Sequence, residues 1–374
     1  MSKIPTIAMI PSAYKASKVY SVLPTNGDAD LDFTRASTAT RVNEIGLIEE
    51  VASNVPRLDY SDGGCPVQLL EPQSRNLITH SEDFNDASWN KTDCTILSNQ
   101  AIAPDGTLTA DLMTLTDTNG RVDQSGFASG VLRTQSVYVK SNNGQSVTVQ
   151  MDFSGLDVIT FETTNKWTRV STTGTNIDFS NRIRIRIVGN VGESVLIWGA
   201  QLEEQSYATS YIPTSGATAT REAETLSKTG LSNYINSSEG VLYAEISALE
   251  DDDSGQIRIS EQGVLNSVFI QFRDSGTTLR TYIFDGNATN QFFSDTVVAP
   301  NTQYKIALKY KENDCALWIN GVEVATDFSA TMPSNLNTLS FDQGDGGNPF
   351  YGKVKDLRVY NTALTDAELQ VLTS

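Results

Sequence analysis

The side chains best placed to do chemistry are two adjacent carboxylates, Glu203 and Glu204, in the segment "GAQLEEQSYATSYIPTSG". A glycosidase needs two carboxyl groups about 5–10 Å apart on one cleft. The run "VLIWGAQLEE" reads as a strand, where successive side chains point to opposite faces. Extended in this way, Glu203 and Glu204 face apart and cannot flank one bond. No other clustered acidic motif and no nucleophile elbow occurs. The single histidine, His80, lies beside no nucleophile motif, which argues against Ser-His and Cys-His catalysis. Cys65, Cys94 and Cys315 are odd in number and widely spaced, so they signal neither a disulfide framework nor a zinc site. The expectation is a protein that binds and has no glycosidase activity.

Other residues are candidate ligand contacts. "FDQGDGGNPF" (341–350) offers Asp342, Asp345 and Asn348 as oxygen donors. Its spacing departs from the D-x-[DN]-x-[DN]-G calcium loop, and a plain polar turn is the competing reading. Flat rings stack on the apolar face of a pyranose. Trp318 alternates against Leu317 and Ile319 and faces outward if those two face the core. Tyr282, Phe292, Phe350 and Tyr351 lie in strands or loops able to line the same rim. Exposed aromatics serve equally well at subunit interfaces. Trp198, among Leu196, Ile197 and Ala200, reads as core. In "RIRIRI", Arg182, Arg184 and Arg186 share one strand face and are expected to pair with acidic neighbours across a sheet.

These residues must be held by strands. Length, 374 residues, suggests two or three domains, and 39% hydrophobic with 19% charged residues describes a globular chain. "VTVQMDF", "RIRIRI", "VFIQFR", "YKIALKY" and "VKDLRVY" alternate apolar and polar residues, the pattern of antiparallel strands with one buried face. Asn320-Gly321 in "CALWINGVEV" marks a hairpin. In "LTDAELQVL", Thr365 and Glu368 form a capping box opening a short helix. No apolar run approaches the ~18 residues of a spanning helix, so membrane insertion is not expected. A net charge of −18 repels phosphate backbones and anionic lipid, which argues against nucleic acid as a partner. The start, "MSKIPTIAMIPSAYKASK", lacks the apolar core of a secretion signal, so folding in the cytoplasm is expected.

Larger stretches resemble known families. "NLITHSEDFNDASWNKTDCTI" (76–96) with "VLIWGAQLEEQSYATSYIPTSGATATRE" (195–222) resembles the first and last strands of a carbohydrate-binding-type jelly roll found in bacteriophage tail and fibre proteins. That resemblance implies paired terminal strands and a calcium ion near them, with Glu82, Asp83 and Gln201 as the nearest oxygens. Upstream, "LDFTRASTATRVNEIGLIEEVASNVPRLDYSDGGCPVQLLEPQSRNLI" (31–78) is similar to the segment preceding this jelly roll in phage virion proteins. "GVLYAEIS", "QYKIALKYKENDCALWINGVEVAT" and "FYGKVKDLRVYNTALTDAELQVL" resemble the laminin-G/concanavalin A-like lectin sandwich, whose members bind glycans or proteins, with calcium frequent.

The resulting expectation is an all-β protein: two antiparallel β-sandwich (jelly-roll) domains preceded by an extended N-terminal assembly segment. The boundaries are 1–74, 75–222 and 225–374. Residues 1–74 carry too little apolar surface for a core of their own, so Ile45, Leu47, Ile48, Leu58, Tyr60, Leu69 and Leu70 are expected to lie on a neighbour. That neighbour is the next domain, a sister subunit or the particle. Removing residues 1–74 is then expected to leave two folded sandwiches that no longer assemble. The functional expectation is a structural virion protein, a head or tail fibre or decoration component. It would be made in the host cytoplasm, would assemble as a homo-oligomer (a trimer by the fibre resemblance) with other virion proteins, and would display sandwiches to host-surface glycans. The alternatives are a secreted or surface bacterial lectin or adhesin, and a polysaccharide depolymerase.

Overall fold

The protein is described here by a computed structural model covering residues 3–153, 156–175, 182–249, 254–261, 263, 265–286 and 290–374. Its strands are all-β sandwich material, and the single helix among the described residues is Asp366–Thr373. The chain divides into two units. One comprises Met1–Thr38, Val51–Pro72 and Ala223–Ser374, the other Ala39–Glu50 and Gln73–Glu222.

In the first unit, alternation sets two sheets face to face. One sheet runs Val322–Asp327, Cys315–Ile319, Tyr304–Lys311, Glu239–Ala248, Gly352–Tyr360, Val67–Leu70, Arg57–Asp59, with Ile7–Met9 also pairing on Gly352–Tyr360. The other has nine strands and ends in the order Thr338–Ser340, Gln256–Ser260, Asn266–Arg273, Thr278–Asp285, Asn290–Val297. Between them lies one core containing Leu242, Ile257, Ile270, Leu279, Leu308, Leu317 and Leu357. The hairpin at Asn320-Gly321 forms as its sequence predicts, with both residues at positive φ (49° and 81°). The capping box also forms: the Glu368 amide donates to the Thr365 hydroxyl, and the Thr365 amide donates to Glu368 Oε2 at 2.8 Å.

Residues 1–74, expected as an assembly segment lying on a neighbour, are instead divided between the two units: 1–38 and 51–72 join 223–374, and 39–50 and 73–74 belong to the other. Ile7, Met9, Val19, Leu31, Phe33 and Leu70 belong to the same core as the C-terminal strands. Ile7 pairs with Val359, Leu69 with Lys353, and Leu226 with Phe33. These N-terminal strands are too short and too poor in apolar residues to fold alone, and the C-terminal sandwich supplies the sheet that completes them. Leu58 and Leu69 are buried and Leu70 is core, so the chain itself covers the apolar positions expected at an assembly surface. Tyr60 is half-buried.

Four charged side chains are sealed into this unit. Arg35 Nη1 donates to Glu224 Oε1 at 2.7 Å, Arg57 Nε donates to the same oxygen at 2.8 Å, and Arg57 Nη1 donates to Glu71 Oε2 at 2.7 Å. Arg35 also donates to the carbonyls of Ser37, Ala52 and Val55. Two cations and two anions balance, and the added backbone contacts satisfy donors that burial would otherwise penalise. Arg35, Glu71 and Glu224 lie within three residues of a point where the chain leaves or enters this unit.

The second unit has two five-stranded sheets around Val137, Val149, Met151, Ile183, Ile185, Ile187 and Ile197. Ser74–Asn76 pairs with Ala219–Arg221. The arginine stripe opposes carboxylates as expected: Arg184 and Arg186 face Asp152, at 2.5 and 3.6 Å, and Arg182 faces Asp123 at 3.8 Å. The hairpin Ala39–Val42/Ile48–Val51 lies over Trp198 and Tyr211, which bury Ile48. Leu47 lies against Gly106, where a Cβ would sit 3.0 Å from its Cδ1. Ile45 is the exception among the expected assembly residues, 79% exposed at the hairpin tip.

Candidate binding site

The outer face of the nine-stranded sheet follows from strand parity. In Thr278–Asp285, Leu279, Thr281 and Ile283 point inward, so Arg280, Tyr282 and Phe284 point outward. Register then aligns whole rows. Ser340 opposes Arg258, Arg258 opposes Phe269, Phe269 opposes Tyr282, and Tyr282 opposes Phe293. One row over, Gln256, Gln271, Arg280 and Asp295 line up in the same way. An aromatic row thus runs beside a polar one.

The geometry is tight. The Tyr282 ring lies 5.0 Å from Phe269, 5.2 Å from Phe284 and 5.0 Å from Phe293. Arg280 sits 5.0 Å from the Phe293 centroid and donates Nε to Asp295 Oδ1 at 2.6 Å and Nη2 to Oδ2 at 2.5 Å. This fork holds its guanidinium firmly protonated. Arg258 lies 4.2 Å over Phe269 and donates to Ser267 Oγ at 3.2 Å and Gln256 Oε1 at 2.7 Å. Burial pulls Arg258 down to about 10, while the charges of Asp342 and Asp345 act in the opposite direction.

The loop 341–350 packs against this face. At Gly344, with φ 94°, a Cβ would lie 3.3 Å from Ser260 Oγ and 3.2 Å from the Gly263 carbonyl, so backbone can approach there only without a side chain. Asn348 donates to Gln343 Oε1 at 2.8 Å and accepts from Ser254 Oγ at 3.0 Å. Asp342 Oδ1 accepts from the Gly344 amide at 2.5 Å, and Asp345 Oδ1 from the Gly347 amide at 2.9 Å. Those amide bonds hold the Asp345 carboxyl below its ordinary range. Asp342 and Asp345 are therefore loop formers and counter-charges to Arg258. Among the described residues no group of three or more His, Cys, Asp or Glu side chains could hold a metal ion.

At the second expected calcium position, each oxygen-bearing side chain has protein partners. Glu82 accepts from the Tyr211 hydroxyl at 2.8 Å, and burial raises its carboxyl above the ordinary range. Asp83 Oδ1 caps the amides of Asn85 and Asp86. Gln201 is buried and accepts from the Ile212 amide at 2.6 Å.

Of the expected sugar contacts, Tyr282 and Asn348 reach this site. Tyr351 is half-buried nearby in sequence. Phe350 is core, packed on Phe272 and Phe341. Trp318 does point away from the main core, as parity requires. The helix Asp366–Thr373 covers it, however, leaving it 7% exposed among Tyr243, Tyr360, Leu364 and Leu369. Phe292 is buried and its neighbour Phe293 is 47% exposed. On this strand it is therefore Phe293, and not the expected Phe292, that turns its ring to solvent, beside Phe269, Phe284, Arg258 and Arg280, which the sequence did not bring together. The alternation of "VFIQFR" was visible, but the register joining it to Tyr282 was not.

Residues 242–370 match the Concanavalin A-like lectin/glucanases superfamily. No curated protein matches the chain. Among solved structures, the CBM40 of a Ruminococcus gnavus IT-sialidase bound to alpha2,3 sialyllactose is 16% identical, covering 37% of this chain and 84% of its own, with a TM-score of 0.32. Domain 4 of AbnA, a GH43 extracellular arabinanase from Geobacillus stearothermophilus, in complex with arabinotriose, is 15% identical over 46% and 84%, TM-score 0.32. The CBM22 tandem of Paenibacillus barcinonensis Xyn10C is 12% identical over 77% and 98%, TM-score 0.27. At these values the structural likenesses carry no ligand with them.

The carboxylates met first in the sequence have separate duties. Glu203 is fully buried and accepts from Ser74 Oγ at 2.7 Å and the Thr209 amide at 3.0 Å. Glu204 pairs with Arg133 at 2.9 Å. The lectin-like sandwich instead offers an exposed ring beside a matched donor–acceptor pair, Arg280 and Asp295. Such a face can take the apolar side of a sugar ring and its adjacent hydroxyls.

Proposed function

We propose that this protein binds glycans through the outer face of the nine-stranded sheet, without cleaving them. The observation that carries the reading is the row Phe269–Tyr282–Phe293 flanked by Arg280–Asp295, within the region matching the lectin/glucanase superfamily. Binding of the full chain to a glycan array, lost in Phe293→Ala, tests it. Wild-type and variant chains giving equal signals would refute it, as would release of reducing ends from a bound polysaccharide.

The biological setting follows the resemblances at residues 31–78 and 76–222: a structural virion protein, of fibre or decoration type, presenting lectin-like sandwiches to host-surface glycans. Assembly as a homo-oligomer, a trimer by the fibre resemblance, belongs to this reading, with Ile45 as the exposed apolar residue left from the expected set. Light scattering of the full chain and peptide mapping of purified particles test the two parts. A monomeric chain absent from particles leaves the lectin or adhesin alternative.

A further inference from the structure

Opposite the face just described, on the outer side of the eight-stranded sheet, lies a cleft of about 770 Å³. That volume falls in the ~300–1,000 Å³ range of small-molecule sites. Its floor is set by register: Glu245 opposes Asp356, and Tyr243 opposes Arg358. These two carboxylates share one sheet face, an arrangement that no sequence motif announced. Arg358 donates Nε to Asp356 Oδ1 at 3.0 Å and Nη2 to Oδ2 at 2.5 Å, and its guanidinium lies 5.6 Å from the Tyr243 ring centre. Lys355 Nζ lies 3.1 Å from Glu245 Oε1. Leu364 and Val371, at and on the C-terminal helix, form an apolar wall.

We infer that this cleft is a second saccharide subsite, for a neutral sugar, and the inference rests on the glycan-binding reading above. Each carboxylate on the floor already has its cation. A cationic ligand would have to break such a pair, at a desolvation cost its own contact barely repays, and an anionic one would meet Lys3 and Lys305 only against the carboxylates Glu245, Asp356 and Glu368 that line the same cleft. A neutral polyol has no such conflict. Its adjacent hydroxyls can both donate to a carboxylate and accept from a guanidinium held in a fixed plane. Its C–H face suits the wall of Leu364 and Val371. Burial and the charge of Glu245 hold the Asp356 carboxyl above its ordinary range, consistent with a floor withdrawn from water.

The test is a titration of the full chain with cellobiose, lactose and N,N′-diacetylchitobiose, followed by amide shifts. Saturable shifts are expected at residues 243, 245, 356 and 371. Val371→Arg places a bulky cation at a position 77% exposed, where folding is unaffected, and should weaken those shifts at least tenfold. Asp356→Asn should do the same, and Phe293→Ala should leave them unchanged. If neutral saccharides move only amides around Phe293, the second subsite is wrong and the first reading stands. Glucuronate or spermidine moving the cleft amides where neutral sugars do not overturns the ligand class. No saccharide binding anywhere on the chain overturns both.

Discussion

Phe292 and Phe293 differ by one step along a strand, and that step decides which one faces solvent. Phe293→Ala should lower glycan affinity at least tenfold while leaving the denaturation midpoint nearly unchanged, because its ring is half out of the fold already. Trp318→Ala should behave oppositely. It removes a buried indole beneath the helix and should cost about 3–5 kcal/mol in chemical denaturation, with no change in binding at the Phe293 face. A third residue gives a pH signature. Asp111 is buried, accepting from the amides of Asn99 and Phe84, and burial pushes its carboxyl up to about 6 from 3.8. A carboxyl raised on folding binds its proton more tightly in the native state. Its contribution to stability is full below about pH 3.8 and is lost as pH rises through 6. Stability of the second unit measured from pH 4 to 7 should carry this downward component, and Asp111→Ala should remove it.

Elements differ in how much of their surroundings they encode. Helix Asp366–Thr373 was legible because its cap is local: Thr365 and Glu368 are three residues apart. Thr365→Ala should cost roughly 1 kcal/mol in denaturant unfolding of the full chain. Ile183, Ile185 and Ile187 were legible for the same reason, since period two needs no knowledge of the partner strand. What this helix covers was not legible, because Trp318 and Leu369 are brought together only by the fold. The aromatic row failed for a like reason: "VFIQFR" and "TYIF" each show a face, and only register shows that the faces coincide. The N-terminal strands were hardest, since Ile7 finds its partner at Val359. The buried ionic network joins such distant pieces. Glu224→Ala leaves Arg35 as an uncompensated buried cation and Arg57 with Glu71 alone, and should cost about 3–5 kcal/mol, read from urea or thermal unfolding.

For the whole molecule, the decisive feature is that neither unit is one continuous stretch of chain. The chain passes between them after residues 38, 50, 72 and 222. Deleting residues 1–74 strips Ile7–Met9, Leu31–Thr34 and Val67–Leu70 from the first unit, together with core residues Phe33 and Leu70. The truncated protein should be insoluble or lack a cooperative transition for that unit, in contrast to the two intact sandwiches the sequence suggested. A soluble truncation retaining two cooperative transitions would disprove the interdependence. The same interleaving governs order in time. Ribosomes add roughly 5–20 residues per second, so Ile7 leaves the exit tunnel on the order of 20–70 s before Val359 is made. Through that interval Ile7–Met9 has no partner strand to join, whereas the second unit, complete at residue 222, is translated in full well before Val359. The inserted unit can therefore mature first, and a slow stretch of codons within residues 73–222 would lengthen the time the waiting strands spend exposed to chaperones and to neighbouring chains.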